Sequence, residues 1–159
     1  MGTIAIVRGV ADALASCELS FVERAPIDVA LARQQHSGYV EALLALGCEV
    51  LELPPLAGFG DSVFVEDTAL VLDELAILTR PGAQSRRGEV DSIGEVLANL
   101  RPIARIDGGG TLDGGDVLRI GKSIYVGQAA RSNAAGFTKL VRRPTRLGGA
   151  GKGAATRGD

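Results

Sequence analysis

Apolar residues along this chain come in bursts whose period changes from segment to segment. Residues 3–8 (TIAIVR) form a short apolar run that predicts a buried strand. Between Val29 and Leu46 the apolar positions Ala32, Tyr39, Val40, Leu43, Leu44 and Leu46 recur at helical spacing, so an amphipathic helix is expected there. Pro26 and Asp28 supply its start signals and Gly47 its stop. CEVLEL (48–53) reads as a second strand, closed by Pro54-Pro55. Strand, helix, strand points to an α/β unit.

From Thr68 the pattern shortens. TALVL and LAILT flank Asp73-Glu74 and predict a β-hairpin. A helix over roughly 88–100 follows, with Val90, Ile93, Val96, Leu97 and Leu100 on one face, and RPIARI (101–106) returns as a strand. DVLRI, a Gly121-Lys122 turn, SIYVG and a helix from about Ser132 to Val141 then repeat the hairpin-helix theme. Equivalent positions carry equivalent chemistry. Glu66 and Asp67 precede the first hairpin and Arg86 follows it; Asp113 and Asp116 precede the second and Arg131 follows it. Units that cannot each bury their own sheet face must stack, and stacking around an axis would bring both sets to one centre.

Composition bounds the possibilities. The chain has 159 residues, 46% of them apolar, enough for one domain with a sizeable core, expected over 1–140. No run approaches the roughly 18 apolar residues of a membrane span, and the first residues lack a secretory pattern, so a soluble cytoplasmic protein is expected. Cys17 and Cys48 are too few for a disulfide framework and sit in no metal-ligand spacing, so neither a metal nor another cofactor is expected. The formal net charge is -2, yet residues 141–159 carry five basic residues against Asp159 alone, which leaves the rest of the chain at -6. That basic stretch is rich in Gly, Ala and Arg and has no aromatic residue, so it is expected to be a disordered or out-of-family tail with no nucleic-acid or membrane partner.

Carboxylates gathered inside a protein repel one another and lose hydration, so Asp61, Glu66, Asp67 and Asp113 call for a cationic partner such as a guanidinium or ammonium. Arg86 and Arg131 offer planar forks suited to a carboxylate. A ligand with a cation at one end and a carboxylate at the other is an arginine-like amino acid. Read singly, each residue also fits a turn-forming Asp or a solvated Arg; the paired recurrence carries the argument. The glycines at 108–110 and 114–115 do not make a phosphate loop, because the single Gly-Lys-Ser, at 121–123, lies in a hairpin turn and opens no helix.

FGDSVFVEDTAL (59–70), LTRPGAQSRRGE (78–89), GTLDGGDVL (110–118) and YVGQAARSNAAG (125–136) closely resemble dimethylarginine dimethylaminohydrolases in order and spacing. The resemblance covers residues 4–140. It implies a five-bladed α/β propeller of ββαβ modules, the pentein or guanidine-modifying fold, of which this chain supplies roughly the first half. By matching positions it assigns Glu66 and Asp67 to the substrate guanidinium, Asp61 and the backbone of Leu19 to its amino-acid end, and Arg86 and Arg131 to its carboxylate. Asp113 matches the carboxylate that orients the family's catalytic histidine, holding its tautomer and stabilising its protonated form.

In that family a cysteine thiolate attacks the guanidinium carbon, a histidine protonates the departing methylamine or dimethylamine, and water releases citrulline. Neither residue has a counterpart in the matching segment. His36, the one histidine, falls within the 29–46 helix; Cys48 reads as a small buried hydrophobe, and Cys17 as an exposed, oxidisable thiol. The expectation is a truncated methylarginine hydrolase, inactive as this chain, with a small-molecule substrate and self-association through open propeller edges. A deiminase or amidinotransferase relative, or a non-catalytic binder of arginine analogues, is the alternative.

Overall fold

The computed structural model describes residues 2–19, 23–121, 123–127 and 130–141, without the side chain of Val141. The basic stretch beyond 141 and Lys122 of the expected second hairpin turn lie outside the described residues. The chain divides into two compact units, Met1–Val65 and Glu66–Asp159.

In the first unit, β1 (Ile4–Arg8) pairs in parallel with β2 (Glu49–Leu53), from Ile4 opposite Glu49 to Arg8 opposite Leu53. A parallel pair needs a crossover, and α1 (Val29–Ala45) supplies it. Asp28 caps this helix, its carboxylate accepting from Leu31 N at 3.0 Å, and Gly47 at φ 81° ends the turn beyond it. Both sequence signals are therefore used. The expected apolar face is mostly uncovered: no α1 residue is buried, and Leu46 just beyond it is 80% exposed. Val29 and Ala32 pack on a small cluster of Val10, Leu14 and Cys17. Two strands and a short 3-10 turn (Asp12–Ser16) offer too little surface to cover a helix of 17 residues.

Cys17 corrects an expectation. It is 6% exposed and not an open thiol, because the segment around it is tied down. Glu18 N donates to Asp61 Oδ2 at 2.9 Å, and a Cβ at Gly60 would meet Ala13 O at 2.6 Å, so the 59–62 turn lies directly against this segment. Cys48 is half-buried where the chain enters β2.

The second unit opens with the expected hairpin. β3 (Ala69–Val71) and β4 (Ala76–Leu78) pair antiparallel, Ala69 opposite Leu78 and Val71 opposite Ala76. α2 (Glu89–Leu97) then returns the chain so that β5 (Ile103–Arg105) joins β4 in parallel. The helix buries Val90, Ile93 and Leu97, while Val96 is half-buried and Leu100 exposed. The final pair, β6 (Val117–Ile120) and β7 (Ser123–Val126), is antiparallel and precedes α3 (Ala134–Val141). Hairpin and helix thus recur as the apolar pattern indicates. Both modules feed one core: Leu72, Ile77 and Ile106 from the first meet Leu112, Val126 and Leu140 from the second. Burial of each such Leu or Ile stabilises by roughly 1.5–3 kcal/mol. The described strands form three small sheets of two, three and two strands.

Candidate substrate-binding site

The candidate site residues fall into both units, and those that recur with the hairpins all lie in the second. In the first, Asp61 is buried and its carboxylate holds the backbone of Glu18, next to the half-open Leu19. The two positions assigned to an amino-acid end are therefore neighbours through one hydrogen bond.

In the second unit, the acids and arginines of the two hairpin modules meet. Glu66 and Asp67 lie on the 3-10 turn (Val65–Thr68) that leads into β3. Asp67 is buried and Glu66 exposed. Thr79 fixes the turn from β4, its hydroxyl donating to Asp67 O at 2.7 Å. The Asp67 carboxylate is held at both oxygens. Gly115 N of the second module donates to Oδ1 at 3.0 Å, and Arg86 Nη1 reaches Oδ2 at 2.5 Å. This contact explains the paired glycines before Asp116: a Cβ at Gly114 would fall 1.9 Å from Glu66 O, so the two backbones touch only if that position has no side chain.

Arg86 is 3% exposed and its fork is shared. Nη2 pairs with Glu89 Oε2 at 3.0 Å, and Nε lies 3.3 Å from both Glu89 oxygens. Burial alone would lower the pKa of this guanidinium; hydrogen bonds and charge from Glu89 and Asp67 outweigh it and push the pKa up. A carboxylate ligand arriving at Arg86 would thus compete with two carboxylates already in place. Sequence reasoning passed over Glu89, although it stands three residues after Arg86 in the string RPGAQSRRGE, a spacing that lets the two side chains meet at a helix start.

Asp113 lies on the other side of the β4 exit. It is 1% exposed; Gly82 N donates to its Oδ1 at 3.0 Å, while Oδ2 has no hydrogen-bond partner among the described residues. Arg131 Nε stands 3.6 Å from that oxygen, an ionic distance beyond hydrogen bonding, and the Arg131 side chain is 41% exposed. Ser132 completes this corner, accepting from Asp113 N at 3.0 Å and donating to Asp116 Oδ2 at 2.6 Å. Burial raises the Asp113 pKa and the charge of Asp67 raises it further, against Gly82 N–H, Arg131 and Arg86, which lower it. The Glu66 pKa is raised as well, chiefly by desolvation, even though the residue as a whole is exposed. Among the described residues no three His, Cys, Asp or Glu side chains are grouped to hold a metal ion, and no helix is long and apolar enough to cross a membrane.

A buried carboxylate with one oxygen free of hydrogen bonds among the described residues, facing a half-exposed guanidinium, together with the exposed Glu66 of the same unit, offers groups able to recognise a cation and an anion. Comparison with known proteins agrees with the motifs. An N(G),N(G)-dimethylarginine dimethylaminohydrolase of Streptomyces coelicolor is 47% identical over 137 residues, covering 86% of this chain and 53% of that protein. The enzyme of the same name from Pseudomonas aeruginosa is 40% identical over 116 residues, covering 72% of this chain and 46% of that protein. The chain belongs to the dimethylarginine dimethylaminohydrolase-type pentein family. The solved structure of this family's Pseudomonas aeruginosa member, a cysteine-to-serine mutant complexed with citrulline, superposes with a TM-score of 0.91 at 36% identity, covering 99% of this chain and 62% of that one. The chain spans about half the length of the curated family members it matches. No protein-family profile matches it.

Proposed function

We propose that this chain supplies the substrate-recognising part of a hydrolase acting on Nω-methylated arginine, in which Glu66 and Asp67 receive the guanidinium, Asp61 and the Leu19 backbone the amino end, and Arg131 the carboxylate. Arg86, the other candidate for the carboxylate, acts on this reading through Asp67. The observation that carries the proposal is the meeting of the two modules' acids and arginines around Asp67, Arg86 and Asp113, with an Asp113 oxygen that accepts no hydrogen bond among the described residues. That oxygen is a ready acceptor for an imidazole N–H, and a carboxylate so placed would fix the histidine's tautomer and stabilise its charged form. The partial α/β propeller belongs to the same proposal. Its support is the observed order hairpin, helix, strand, hairpin, helix, and the core that both modules share.

Recognition without bond breaking is the expected behaviour of residues 1–159. His36 sits mid-helix on α1 with its ring centroid 6.3 Å from that of Tyr39, Cys17 is buried in the small apolar cluster, and Cys48 leads into a strand. Self-association is also expected, because β6 and β7 present Leu118, Ile120 and Tyr125 on an exposed face. Incubation of the purified chain with dimethylarginine tests the catalytic half of the proposal: no citrulline above background is expected, and steady release would refute it. Equilibrium dialysis against dimethylarginine and arginine tests the substrate class, since tighter binding of unmodified arginine would favour a deiminase-like reading.

A further inference from the structure

Asp67 can serve a guanidinium only if its carboxylate is kept in one orientation, and the side chain that does this is itself held by a third residue. Arg86 reaches Asp67 through Nη1. Nε and Nη2 both donate to Glu89. A long arginine side chain left to itself has several rotamers of similar energy; a carboxylate gripping the Nε edge of the fork selects the one that aims Nη1 at Asp67. Glu89 is 2% exposed and is the first residue of α2, where the unpaired N–H groups and the helix dipole favour an anion. An ionised carboxylate in that position costs desolvation, which structural stability alone does not explain: an apolar pair in place of a buried ion pair is often as stable.

We propose that Glu89 is a positioning residue for guanidinium recognition: it locks Arg86 so that Asp67 is presented in fixed orientation, and it leaves the Asp67–Arg86–Glu89 group with a net charge of one negative unit. The charge matters as much as the geometry. With Glu89 neutral, Arg86 and Asp67 cancel and the group no longer attracts a cation; with Glu89 present, the group remains anionic while its carboxylates are kept apart by the guanidinium between them. This role rests on the reading of Asp67 as a guanidinium ligand, but the hold on Arg86 can be measured without any ligand.

The test compares the wild-type chain with Glu89→Gln, which keeps size and one acceptor but loses charge, and Glu89→Asp, which keeps charge and shortens the reach. By NMR, the wild-type Arg86 Nε–H is expected to exchange slowly and to resonate apart from solvated arginines. In Glu89→Gln that signal should lose protection and the Asp67 carboxyl carbon should shift, whereas Glu89→Asp should retain part of both. In parallel, the affinity for dimethylarginine should fall roughly tenfold in Glu89→Gln, a difference of about 1.4 kcal/mol. Unchanged Arg86 and Asp67 signals in a folded Glu89→Gln variant would overturn the positioning role. If the NMR signals move as described but the wild type binds no dimethylarginine, the positioning geometry stands and the guanidinium reading falls. If Glu89→Gln does not fold, Glu89→Asp decides, since full wild-type affinity with a displaced Arg86 signal would contradict the proposal.

Discussion

Asp113 combines complete burial with an oxygen that accepts no hydrogen bond among the described residues and has only the Arg131 guanidinium at ionic distance, and that combination costs stability. Its pKa is raised by burial, so the folded state binds a proton more readily than the unfolded chain does. The sign follows: below the ordinary Asp range the carboxyl is neutral in both states and nothing is lost, and stability falls as pH rises through the raised value. Asp113→Asn removes the charge and should stabilise the chain by about 1 kcal/mol near neutral pH, with less gain in acid. Thermal unfolding at the two pH values checks this; equal gains at both would show that burial of charge is not the cause. Arg86 behaves in the opposite sense. Arg86→Met would leave Asp67 and Glu89 buried without their cation, at a cost of about 3–5 kcal/mol in denaturant unfolding. Arg86→Lys should recover only part of that loss, because an ammonium cannot present an Nε edge to one carboxylate and an Nη to another.

Individual elements show why a single apolar pattern has different outcomes. α1 and α2 each contain a mid-helix glycine. A Cβ at Gly38 in α1 meets nothing within 4 Å, so Gly38→Ala should stabilise by about 0.5–1 kcal/mol through helix propensity. A Cβ at Gly94 in α2 would lie 2.7 Å from Leu78 Cδ1, inside the fully buried β4 contact, so Gly94→Ala should destabilise despite the same gain in propensity. Opposite signs in chemical denaturation are expected, and a stabilised Gly94→Ala would contradict the packing described. The same contrast explains what could be read from the sequence. Strand and hairpin positions were legible because alternation and turn residues act locally. The Cys17 environment was not, because it depends on Gly60 and Asp61 some forty positions away in sequence. Glu89 was missed for a related reason: a buried glutamate at a helix start looks identical, in sequence, to a solvated one.

At the scale of the whole molecule, the two hairpin modules act as one charge-bearing unit in which Gly114 lets their backbones touch. Gly114→Ala would drive a methyl into Glu66 O and should separate the modules at this point, weakening ligand binding. Exposed Leu118, Ile120 and Tyr125 should draw copies together, so sedimentation is expected to show concentration-dependent association that decreases when Ile120 is made Lys. Binding should also weaken as pH falls into the acid range above the ordinary Glu value, because Glu66 has a raised pKa while a guanidinium ligand keeps its charge. The central claim is that these acids recognise a guanidinium amino acid. Calorimetric titration of residues 1–159 with Nω,Nω-dimethylarginine tests it most directly: saturable binding that is lost in the Glu66→Gln, Asp67→Asn double variant is the predicted result, and no heat from a well-folded wild-type sample would contradict it.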